Sequence, residues 1–176
     1  AGDNPSFMIF DASENQIYDA IPSDNYGFAN LQFFEIATVN ATIFQNIDFH
    51  TGANLISFYV LPEDASLNNV LSPISENING IVGEGVGAIY NEAFGGWMGT
   101  LTAFDREDGY WFVINQESSL TLSGNLNEGL NYQLHTGANL ISFPSPDSVN
   151  IGSAIPDDVE DLFEAILAEG NAAMNA

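Results

Sequence analysis

The chain has 176 residues, 45% of them hydrophobic and 12% aromatic, which excludes a disordered tail in spite of a net charge of −23. Its 24 acidic residues face a single base, Arg106, and no lysine. Such a surface repels nucleic acid and anionic membranes, and it suits saline, calcium-containing water in which cations screen the self-repulsion. Without cysteine there is no disulfide, thiolate metal site or cysteine nucleophile. No apolar run approaches the ~20 residues of a membrane-spanning helix.

Residues 1–49 read as β structure with no helical periodicity. Ser6–Asp11 and Gln16–Ala20 are strands separated by a Ser13-Glu14-Asn15 turn, residues 21–30 form a loop, and Leu31–Ala37 and Thr42–Phe49 are further strand candidates. At His50 a nine-residue phrase begins, His-Thr-Gly-Ala-Asn-Leu-Ile-Ser-Phe, and the same nine residues recur from His135, 85 positions later. At the same spacing Ile81-Val82-Gly83-Glu84-Gly85 matches Ile166-Leu167-Ala168-Glu169-Gly170. A repeat of this kind governs the architecture. Residues 50–134 form one complete copy, 135–176 the first half of a second.

Each copy predicts a strand followed by a helix. In the first, Asn54–Val60 is the strand. Ser72 would cap a helix over 73–82, with Pro73 at its first position and Ile74, Ile78, Ile81 and Val82 as its apolar stripe. In the second, Asp157 and Glu160 form a capping box, Val159, Phe163, Ile166 and Leu167 the stripe, and Gly170 the stop. Short β segments follow at Val86–Asn91, Trp97–Phe104, Gly109–Gln116, Ser119–Ser123 and Leu130–Leu134, with a turn over 124–129. The expected fold is α+β, predominantly antiparallel β, with two related modules, each a small sheet covered by one helix. Residues 1–49 would supply the missing half of the second module, with Ser6–Asp11 read against Thr100–Asp105 and Ile17-Tyr18 against Trp111-Phe112, within the chain or between copies joined head-to-tail.

The phrase Gly-Ala-Asn-Leu-Ile-Ser-Phe, the stretch Trp97–Leu101 and Gly109–Val113 together resemble repeats in large secreted or cell-surface proteins of marine bacteria, and the opening Gly2–Ser13 is similar to a β-rich segment that accompanies them. The resemblance implies an extracellular, modular part and carries no catalytic or binding residues with it.

The residues that suggest chemistry have plainer readings beside them. His50 and His135 hold equivalent repeat positions, which favours a structural role over a catalytic or zinc site. Glu84 and Glu169 suggest a glycosidase-type carboxylate pair, but an acid duplicated on two modules is uneconomical for an enzyme. Asp105, Glu107 and Asp108 form a compact acidic loop able to offer oxygen ligands to calcium, but a solvated hairpin turn is the favoured explanation. Trp97, Tyr110 and Trp111 suggest a platform for sugar rings, although strand alternation sends Tyr110 and Trp111 to opposite faces. The composite expectation is a non-enzymatic extracellular or cell-surface module, structural or adhesive, whose partners are copies of itself or neighbouring modules. A carbohydrate-binding module that takes polysaccharide is the alternative. Neither requires nucleic acid or membrane insertion.

Overall fold

A computed structural model of the chain describes residues 2–12, 15–124 and 130–175. Among them run twelve strands: β1 (Phe7–Asp11), β2 (Gln16–Pro22), β3 (Val39–Ala41), β4 (Ile43–Phe49), β5 (Gly52–Ser57), β6 (Ile78–Gly83), β7 (Val86–Asn91), β8 (Gly96–Gly99), β9 (Gly109–Ile114), β10 (Ser118–Gly124), β11 (Ala165–Ala168) and β12 (Asn171–Met174). Their pairings are antiparallel throughout. They build a five-stranded sheet in the order β5-β9-β6-β7-β8, a three-stranded sheet β1-β2-β3, and two ribbons, β4–β10 and β11–β12. No helix among the described residues is long and apolar enough to cross a membrane.

The core lies between the β4–β10 ribbon and one face of the five-stranded sheet. Alternation in β4 buries Gln45, Ile47 and Phe49, and β10 opposes them with Leu120 and Leu122 in register. From the sheet, β9 turns Tyr110, Phe112 and Ile114 inward, as the two-residue strand period requires. Phe58 and Phe112 are wholly buried. Phe58 lies 4.7 Å from Phe104 and Phe49 5.3 Å from Phe112, ring centre to ring centre. Such offset and tilted pairs add specificity to the burial of large apolar area.

The two expected helices are not formed. A single helical turn, α1 (Leu67–Val70), lies earlier, capped by the Ser66 hydroxyl and burying Leu67 and Val70. Residues Ser75–Asn77 make a 3-10 turn, and Ile78 then enters β6. The expected stripe has a different cause. A β-bulge between Ile78 and Gly80 shifts the register against β9, so that Ile78 and Ile81 both face the core from a strand. Three-residue spacing on one face therefore mimics a helix. Val82, the fourth stripe residue, is 52% exposed on the outer face. The second copy follows suit. It has a short turn α2 (Ile151–Ala154), a 3-10 turn at Glu160–Leu162 and the β11–β12 hairpin. Phe163 is half-buried there, and Leu167 is exposed.

Other expectations also change. Leu31–Ala37 and Leu130–Leu134 form no strand; Phe34 instead stacks on Tyr26 at 4.6 Å. The boundary at 49/50 cuts through a sheet, because β4 pairs with β10. Residues 6–18 pair as β1 and β2, and the C-terminal hairpin pairs with itself. Ser13, Glu14 and residues 125–129 of the expected turns lie outside the described residues.

Candidate functional site

The repeated phrase folds the same way twice. In the first copy the Asn54 amide closes the loop on itself. Its oxygen accepts from His50 N at 2.9 Å, and its nitrogen donates to the carbonyls of His50 at 2.8 Å and Gly52 at 3.2 Å. Asn139 makes the same three bonds in the second copy, to His135 N at 2.9 Å, His135 O at 2.9 Å and Gly137 O at 3.1 Å. Gly52 and Gly137 share a φ near +107, values of 106° and 107°, which residues with a Cβ rarely adopt. The loop thus presents two donors outward: the histidine ring and the backbone N–H of the leucine that follows the asparagine.

A carboxylate occupies each pair of donors, and it comes from the other copy. Glu169, at the turn of β11–β12, meets His50 Nε2 with Oε1 and accepts from Leu55 N with Oε2 at 2.8 Å. Glu84, at the turn of β6–β7, meets His135 Nε2 and accepts from Leu140 N at 2.8 Å. Each glutamate precedes a glycine in the left-handed conformation, Gly85 at φ 70° and Gly170 at φ 73°, which closes the two-residue hairpin turn. The exchange is reciprocal: hairpin one enters phrase two, and hairpin two enters phrase one.

The electrostatics follow from this geometry. His50 is held above the ordinary histidine range, first by its bond to the Thr51 carbonyl and then by Glu169. His135 is raised first by Glu84 and then by the Thr136 carbonyl. Glu84 is lowered by His135 and Leu140 N, and Glu169 by Leu55 N and His50. The imidazoles are about half open to solvent, at 57% and 56%, so each ion pair alone contributes modestly.

The acidic loop does not converge on a point. Asp105 accepts from Glu107 N at 3.0 Å, Glu107 accepts from Asn131 N at 3.0 Å, and Asp108 lies 3.4 Å from the Tyr110 hydroxyl. Among the described residues no three histidine, cysteine, aspartate or glutamate side chains are gathered to hold a metal ion. The loop seats the second phrase. Gly109 N donates to Leu140 O at 2.9 Å, Ser142 N to Glu107 O at 3.0 Å, and the Ser142 hydroxyl to Arg106 O. Burial raises Asp108, with Asp105, Glu107 and Glu84 adding to it. Arg106 donates to the Leu61 carbonyl at 3.0 Å.

Nor do the three aromatics form one platform. Tyr110 is buried, and its hydroxyl accepts from Asp105 N at 2.7 Å. Trp97 packs against the core, with its ring 5.3 Å from Tyr90. Trp111 alone lies on the outer face of the sheet, beside exposed Val82 and Val113. The opposite facing of Tyr110 and Trp111 agrees with strand alternation.

Both histidines and both glutamates stand out in the sequence, but no local pattern joins them. The signal was available: histidine and glutamate recur at one common interval of 85 residues. Compared with models of known protein families, the chain matches none, and no curated protein or solved structure shows significant similarity to it.

Proposed function

We propose that the chain is a non-enzymatic extracellular or cell-surface module, structural or adhesive, in which two related repeats are held together by reciprocal clasps. The observation that carries this reading is the exchange of Glu84 and Glu169 between the two phrases. An interface in which patch A meets patch B and B meets A is self-complementary and closes on itself. Both phrases and both hairpin tips are consumed by the pair. The reciprocity therefore favours a closed pair as the building unit over head-to-tail growth. A lysine-free, strongly acidic surface supports a saline setting outside the cell.

Sedimentation and limited proteolysis of the full chain test this. The double variant Glu84→Ala/Glu169→Ala should expand and lose protection of its C-terminal hairpin, while the wild type stays compact. A double variant as compact and resistant as wild type would remove the pairing role.

A second reading, binding of neutral polysaccharide, draws on the outer sheet face, where Trp111 is 37% exposed amid Val82, Ile89, Met98 and Val113. Flat apolar faces with an aromatic ring suit sugar stacking. Retention on an insoluble neutral glucan that Trp111→Ala abolishes would establish it; no retention would leave the first reading alone.

A further inference from the structure

Each histidine ring faces a backbone carbonyl, which only accepts hydrogen bonds, and a carboxyl group, which only accepts when ionised. In His50, Nδ1 lies 3.0 Å from the Thr51 carbonyl oxygen and Nε2 meets the Glu169 carboxylate. In His135, Nδ1 lies 3.0 Å from the Thr136 carbonyl oxygen and Nε2 meets the Glu84 carboxylate. A neutral imidazole has one N–H and can satisfy one of its two neighbours; the imidazolium satisfies both. The competing arrangement places the proton on the carboxyl group, which would donate to Nε2. In a solvent-open pair the proton goes to the stronger base, and imidazole exceeds carboxylate by about two pKa units. Each carboxylate also accepts the leucine N–H on its second oxygen, which favours the ionised form further.

We propose that each phrase is a receptor for a hairpin-tip glutamate that engages fully only when its histidine is doubly protonated, so that the two repeats are latched in mildly acid water and loosened as the pH rises. This rests on the repeat-pairing reading above. The partner of each receptor is the Glu-Gly tip of the other repeat, recognised by two converging donors.

The surroundings push the same way. Besides Glu169, the carboxylate of Glu117, in the β9–β10 turn, bears on His50. His135 faces Glu84, and Glu84 in turn neighbours Asp108 in the loop before β9, beside Asp105 and Glu107. All of these charges are negative and favour the cation. Both histidines titrate higher in the folded chain. Their contribution is therefore complete below the ordinary 6.5 and is lost as pH rises through the folded value. Both glutamates titrate lower, so theirs is complete above the ordinary 4.5 and is lost on acidification through the folded value. The latch is tightest between those limits.

These are the only two histidines in the chain, so their ring nitrogens can be followed by NMR in the intact protein. The titration belongs in about 1 M NaCl, where a Debye length of about 3 Å screens the general field of the acidic surface. Both rings should carry two protons at about pH 6 and titrate above 6.5. Glu169→Gln should lower the midpoint of His50 alone, and Glu84→Gln that of His135 alone. Wild-type rings with one proton at that pH, or raised midpoints that neither glutamine variant moves, would overturn the proposal. Slow exchange of the Leu55 and Leu140 amide protons in the same samples reports pairing itself. Protected amides beside neutral rings would refute only the proton dependence; unprotected amides would refute the pairing on which it rests.

Discussion

Replacing Asn54 by alanine removes three hydrogen bonds from a side chain that is 2% exposed. At about 0.5–1.5 kcal/mol net for each bond, with little access for replacement water, the loss should come to roughly 2–4 kcal/mol. For a chain of this size that lowers the melting temperature by roughly 4–16 °C. Asn139 supplies an internal control, since it makes the same three bonds at a half-exposed site. There water takes over the freed groups, and Asn139→Ala should cost about 1 kcal/mol or less. Asn54→Asp preserves volume and the bond from His50 N but turns an acceptor towards two carbonyls. It should destabilise at least as much as alanine. Calorimetry or chemical denaturation of the three variants decides the matter. Equal costs at positions 54 and 139, or a neutral Asn54→Ala, would refute the view that the amide organises the phrase from inside the core.

Phe112→Ala, at a wholly buried site, should cost about 3–5 kcal/mol in denaturant unfolding. Phe163→Ala, half-buried beside the C-terminal hairpin, should cost well under that; a full core penalty there would mean that Phe163 is buried as deeply as Phe112. The melting temperature should rise with NaCl, because a net charge of −23 repels itself and salt screens it; scanning calorimetry that shows no change would remove the saline reading.

The strands were largely legible because β-rich composition is a local property. Gly109–Ile114 and Ile43–Phe49 read as strands from their short β-rich runs, although their faces do not follow polarity: Gln45 is buried, whereas Phe44 and Trp111 are exposed. The helices misled for an equally local reason. The bulge beside Gly80 places Ile78 and Ile81 on one face, which is the spacing of a helical turn. Repetition did not guard against the error, since the second copy carries the same spacing into β11. Asn79 and Gly80, both poor in helix interiors, were the contrary signal. Leu31–Ala37 looked like a strand from its apolar residues but lies outside every sheet, with Phe33 fully exposed. The clasps were hidden because their two halves lie 119 and 51 residues apart in the chain. Each half looks structural alone, and only the common interval ties a histidine in one copy to a glutamate in the other.

Reciprocal pairing of the two repeats is tested most directly by hydrogen exchange at the amides of Leu55 and Leu140, measured at one fixed pH in two single variants. Each amide donates to a glutamate from the opposite repeat, Leu55 to Glu169 and Leu140 to Glu84. We expect Glu169→Ala to speed exchange at Leu55 and leave Leu140 unchanged, and Glu84→Ala to do the converse. Faster exchange at Leu55 in Glu84→Ala, or no change at either amide in either variant, would contradict it.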